Sequence, residues 1–176
     1  IVWNDKRNGM FQQLLVMPFS KVHYIIGNLV TIILIGLASA GIIILIGFPT
    51  MSEDITITLW SIPYTVYALV IGSIFFGSFA IILSTRIRSS ETHNVINNGL
   101  FLFFSFSSSA FYPAHGLPVP LSAAFYINPL TYIVDISRAG IFSQIDAFTN
   151  IEVLIISILA ATVFMIATRS MVNMKV

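Results

Sequence analysis

"YIIGNLVTIILIGLASAGIIILIGF" runs from Tyr24 to Phe48 without one Asp, Glu, Lys or Arg. The charge-free stretch around it extends from Lys21 to Glu53. A helix needs about 20 mostly apolar residues to cross a bilayer, so this stretch predicts a transmembrane helix over 24–48. The same test works outward along the chain. No charge falls between Asp54 and Arg86, which predicts a second span over 59–85, with Pro63 tolerated near its start. No charge falls between Glu91 and Asp135 either, but that stretch is too long for one helix and is cut by Pro113, Pro118 and Pro120. It reads as a third span over 95–112, an irregular turn, and a second apolar piece. A last span is expected over 151–168, with Glu152 and Arg169 near the interfaces and their side chains snorkelling toward the headgroups. The fold class is therefore all-α and integral to a membrane, with four transmembrane helices.

Composition agrees. Of the 176 residues, 57% are hydrophobic and 9% are charged, and mean hydropathy is +0.94. Soluble domains carry about 25% charged residues, so lipid is the solvent that this chain suits. A net charge of +1 with no basic run gives no footprint for nucleic acid. The absence of cysteine excludes disulfides, thiolate metal sites and cysteine nucleophiles. The N-terminal charges are not those of a signal peptide, because the apolar run behind them is too long and lacks a small-residue cleavage site. A chain that opens on Ile rather than Met is expected to be a piece of a longer one.

Loop charges set the expected topology. Lys6, Arg7 and Lys21 precede the first span, Arg86 and Arg88 follow the second, and Arg169 and Lys175 follow the last. The other loops hold Glu53, Asp54, Asp135, Asp146 and Glu152 against the single cation Arg138. The positive-inside rule then places both ends and the 86–94 loop in the cytoplasm. Within the spans, Gly36 with Ala40 and Ser73 with Gly77 have the spacing that lets helix backbones approach closely.

Before the first span lies a stretch of a different kind. On a helical wheel, Met10, Phe11, Leu14, Leu15 and Met17 share one face while Gln12 and Gln13 share the other, with Val16 the exception. Asn8-Gly9 breaks the chain before this short helix, and Pro18 stops it. Ser20 is placed to cap the next helix. Two physical readings stand side by side: an anchor lying in the headgroups, or a stiff rod that carries a push to the first span.

"DKRNGMFQQLLVMPFSKVHYIIGN" (Asp5 to Asn28) resembles the cytoplasmic motif of ABC-2 type transporter permeases, the membrane subunits of exporters of the daunorubicin-resistance and polysaccharide-export kind. The matching elements are Asp5 and Arg7, Gly9, Leu14 and Leu15, Pro18, Ser20 and Lys21, and Gly27. Asp5 stands where the family usually has Glu, and Met10 where it has Thr. The resemblance implies that residues 8–20 form a coupling helix seated on an ATPase subunit, with Asp5, Arg7, Gly9, Phe11, Leu14, Leu15 and Pro18 making the link. A second stretch, "FSFSSSAFYPAHGLPVPLSAAFYINPLTYIVDISRAGIF" (Phe104 to Phe142), resembles the family's outer segment. Phe111-Tyr112-Pro113, Asn128-Pro129-Leu130-Thr131-Tyr132, and Asp135 with Arg138 carry that likeness. By resemblance, residues 113–145 form an extracellular re-entrant hairpin whose gate is shaped by Phe111, Tyr112, Pro113, Asn128, Pro129, Tyr132, Asp135 and Arg138. The physical reading is compatible. Irregular backbone at membrane depth needs protein or water to satisfy it, and Asp135 and Arg138 are spaced to pair on a helix. Tyr112, Phe125, Tyr126 and Tyr132 suit an outer aromatic belt. Family members have six spans, so residues 1–176 would be a partial transmembrane domain holding the last four.

Other chemistry is missing. The chain has no G-x-x-x-x-G-K-[ST] and no H-E-x-x-H. His23, His93 and His115 are scattered, which argues against a metal site. Ser105, Ser107, Ser108 and Ser109 make a hydroxyl-rich turn that serves helix packing or a polar lining. None has a base nearby to make it a nucleophile. The expectation is a multi-pass permease of the cell membrane and not an enzyme. It would have no cofactor of its own, ATP and Mg would sit on a partner ATPase, and a second permease copy would complete a homo- or heterodimer. The alternative is a non-transporting scaffold or receptor that docks a soluble partner through its amphipathic helix.

Overall fold

The computed structural model describes residues 5, 20–47, 49, 59–87, 89–112 and 118–173. Six helices lie among them: α1 (Lys21–Gly47), α2 (Ser61–Arg86), α3 (Ser90–Phe106), α4 (Val119–Ile127), α5 (Pro129–Ile141) and α6 (Ala147–Val172). Among the described residues there is no strand. Three helices, α1, α2 and α6, are long and apolar enough to cross a membrane.

Helix ends follow local hydrogen bonding rather than apolarity alone. Asp146 accepts from the Thr149 backbone N–H at 2.8 Å while Thr149 Oγ1 takes the Asp146 N–H, a reciprocal capping box. It starts α6 at Ala147, a turn before the apolar run begins at 151. Beyond the expected third span's start, the polar residues Ser90 to Asn94 are already helical, with Glu91 favourable in the first turn of α3. At its other end α3 stops at Phe106 rather than continuing to Tyr112. The serines explain this stop. Ser107 Oγ donates to Phe103 O at 2.7 Å, Ser108 Oγ donates to Ser105 O at 2.9 Å, and Ser108 Oγ accepts from Ala110 N at 3.3 Å. Such local bonds compete with the helical ladder. The 17 residues of α3 span about 25 Å at 1.5 Å per residue, short of a hydrocarbon core of about 30 Å. The expected third span over 95–112 is thus not a single long helix.

α2 is the hub. Toward one end, Ile25 and Leu29 of α1, Ile81 of α2, and Ala167 and Met171 of α6 form one buried cluster. Toward the other, Ala68 and Phe75 of α2 meet Ile133 and Ile136 of α5 and Ile156 and Ala160 of α6. Small residues permit these approaches. A Cβ on Gly77 would lie 2.7 Å from Leu29 Cδ2, and one on Gly36 would lie 3.4 Å from Ser73 Oγ. Side-chain hydrogen bonds join α2 to α6: Tyr64 Oη donates to Asn150 Oδ1 at 2.7 Å, Tyr67 Oη meets Ser157 Oγ at 2.5 Å, and Thr85 Oγ1 meets Ser170 Oγ at 2.7 Å. The outer face of α1, with Leu34, Ile35, Ile42, Ile43, Leu45 and Ile46 all exposed, is left for lipid.

Candidate functional site at the junction of α3 and α5

Asn128 positions everything around it. It is buried between α4 and α5, and its Oδ1 accepts from the Leu130 N–H at 2.9 Å. It is thereby the N-cap of α5, with Pro129 in the first position, where a missing N–H costs nothing. Its Nδ2 reaches across to α3, donating to Phe104 O at 2.8 Å and to Ser107 Oγ at 3.0 Å. One amide therefore starts α5 and ties it to the end of α3.

About two turns further along α5, a second tie is made. Ser109 Oγ donates to Asp135 Oδ1 at 2.7 Å, Arg138 Nη1 to the same oxygen at 3.3 Å, and Arg138 Nη2 to the Ser109 carbonyl at 3.0 Å. The spacing of Asp135 and Arg138 does produce an ion pair, but it is part of a closed ring through Ser109. Ser108 and Ser109 are buried, so this ring supplies hydrogen bonds that the irregular segment after α3 requires. An exposed ion pair alone is worth little. Here the Asp135 carboxylate also holds a buried hydroxyl.

Tyr132 donates to the Tyr126 carbonyl at 2.5 Å, folding α4 back on α5. Phe111 and Tyr112 are exposed, and Phe111 stacks on Phe106 with centroids 5.5 Å apart. Phe125 is buried rather than on an aromatic belt, because it turns inward at the α4–α5 joint. Pro113 lies outside the described residues.

At the other end, Asp5 Oδ2 accepts from Tyr24 Oη at 2.6 Å, joining the start of the chain to the first turn of α1. Arg7, Gly9, Phe11, Leu14, Leu15 and Pro18, and with them the expected coupling helix over 8–20, lie outside the described residues. Two features escaped sequence reasoning. Ser109 is the hub of the polar ring, and the serine run signalled polarity there without saying which hydroxyl mattered. Glu152, expected to snorkel, is 4% exposed, and its carboxylate makes no hydrogen bond among the described residues. The capping box begins α6 early enough to bring Glu152 inside, on the side facing α5.

The regular elements among the described residues are all helices, three of them long and apolar enough to cross a membrane. The chain belongs to the ABC-2 type transporter family, whose family model matches residues 2–142. It is thus a membrane permease domain, a transport subunit rather than an enzyme, and membership implies an ABC ATPase as its associated subunit. No curated protein and no solved structure matches the chain.

Proposed function

We propose that the chain is the permease subunit of an ATP-driven exporter that moves an amphiphilic drug-, lipid- or glycan-like substrate across the cell membrane. Two permease copies form the path, and each seats residues 8–20 on an ATPase subunit that holds ATP and Mg. Both ends of the chain lie in the cytoplasm, α3 with residues 107–112 makes the third crossing, and α4 with α5 forms the outer re-entrant segment. The family match over residues 2–142 is the observation that carries this reading. The packing supports a mechanical route. A push on the chain's start reaches α1 through Asp5 and Tyr24. It passes to α2 where Leu29 meets Gly77, and to α5 where Gly140 abuts Thr65. From α5 the Asp135–Arg138–Ser109 ring carries the motion to the end of α3, where Phe111, Tyr112, Pro113, Asn128, Pro129 and Tyr132 shape the gate.

The test is to purify the native complex in mild detergent and assay ATPase and transport, with wild type and with Leu14→Asp/Leu15→Asp. The double variant is expected to insert normally and to lose the ATPase subunit or its coupling to transport. Unimpaired transport by that variant would overturn the coupling-helix assignment.

A further inference from the structure

The C-terminal ends of α2 and α6 enclose a cleft of about 410 Å³ lined by Thr85, Arg86, Ile166, Arg169, Ser170 and Asn173. Thr85 Oγ1 donates to Ile82 O at 2.7 Å, so the 2.7 Å contact between Thr85 and Ser170 has Ser170 donating, and it pins the two helix ends together. Two exposed arginines, one from each helix, thus line one cleft. Neither the Arg86 nor the Arg169 guanidinium makes a hydrogen bond or ion pair among the described residues. The terminal carbonyl of α6 that could have taken Arg169 is occupied otherwise, since Lys21 Nζ donates to Val172 O at 3.1 Å. Asp5 is engaged by Tyr24, and Glu91 sits in the first turn of α3 without pairing to either arginine.

We propose that this cleft binds the phosphate of an anionic lipid headgroup. Arginine presents a planar fork of donors that fits phosphate oxygens, and basic clefts between membrane helices on the cytoplasmic side recognise such headgroups. Depth favours lipid over a soluble anion. The 26 residues of α2 and of α6 each span about 39 Å, longer than a hydrocarbon core of about 30 Å, which puts the last turns in the headgroup layer. Ile166 gives the cleft an apolar wall against which the start of an acyl chain can lie. A basic residue in the last turn of a helix also offsets its dipole. That effect asks for one cation per helix, and not for two converging on a shared cleft.

The experiment uses the full-length protein in nanodiscs of phosphatidylcholine with or without phosphatidylglycerol, released into detergent for native mass spectrometry. Wild type is expected to retain phosphatidylglycerol and not phosphatidylcholine. Arg86→Gln/Arg169→Gln should lose most of that retention, and Arg86→Lys/Arg169→Lys should keep part of it. Equal retention of both lipids by wild type overturns the proposal without recourse to a variant. Displacement of the lipid by millimolar inorganic phosphate at neutral pH would assign the cleft to a soluble phosphoanion and overturn the lipid reading. If the Gln variant keeps its lipid but loses the ATPase subunit, the arginines serve a protein contact and the proposal fails.

Discussion

Gly140→Ala isolates the tightest glycine contact among the described residues. A Cβ at this position would lie 2.6 Å from Thr65 Oγ1, 3.0 Å from Ser61 O and 3.0 Å from Thr65 N. The obstacle cannot yield easily, because two of the three atoms are backbone. The third, the Thr65 hydroxyl, is tied to Ser61 O at 2.9 Å. α5 must move away from α2, and overpacking of this kind costs about 1–3 kcal/mol. Alanine recovers up to about 0.5–1 kcal/mol of helix propensity in a helix interior, and less here, one residue from the end of α5. The net expectation is a loss of about 1–2 kcal/mol. Gly99→Ala in α3 is the control, since nothing lies within 4 Å of its Cβ position. It should be neutral or slightly stabilising. Reversible unfolding by SDS in mixed micelles, followed by tryptophan fluorescence, measures both, and Trp60 sits at the start of α2 beside the contact. Wild-type stability in Gly140→Ala, or equal losses in the two variants, would refute the close approach of α2 and α5. In the transport assay Gly140→Ala should lose activity more steeply than stability, because α5 carries the proposed gate.

Ser109→Ala removes a hydrogen bond to a carboxylate and is expected to cost about 1.5–3 kcal/mol; faster hydrogen exchange over 107–112 is the readout, and unchanged exchange would mean the ring does not hold that segment. Glu152→Gln should be no less stable than wild type, because an unpaired buried carboxylate gives up charge desolvation without losing a partner. A clear loss on SDS titration would reveal a hydrogen-bond partner for it. Asp146 is fully exposed, yet the Thr149 backbone N–H, followed by the Thr149 hydroxyl, lowers its carboxyl below the ordinary 3.8. The sign is that of an acid stabilised when charged: the cap contributes fully above the unfolded-state value and is lost as pH falls through the lowered native one. Circular dichroism should show the start of α6 fraying in that acid range for wild type, while Asp146→Asn, which caps without a charge, should show no such step.

How far the sequence can be read differs between elements. Long charge-free runs mark α1 and α2 directly, and a shorter one between Glu152 and Arg169 marks α6, because a bilayer disfavours charge along a spanning helix. The ends of α3 and α6 were not legible in the same way. They are decided by Ser107, Ser108 and the Asp146–Thr149 box, local polar bonds that a hydropathy pattern does not register. Asp135 and Arg138 could be paired from their spacing, but their real partner, Ser109, is 26 residues from Asp135 in the chain, and a helical wheel cannot reach it.

The residues alone determined that this chain is a helical membrane protein and, through its two motif stretches, pointed to its family. Both rest on composition and short-range order, which need no knowledge of what lies opposite. Only the tertiary structure decided that Asn128 ties α5 to α3, that Gly140 lets α5 touch the α2 backbone, that Glu152 is buried, and that Arg86 and Arg169 converge on one cleft. Each depends on which helix faces which, and apolar faces alone leave that choice open, since lipid accepts an apolar helix surface in any rotation. Small residues and hydroxyl pairs select the rotation that is adopted.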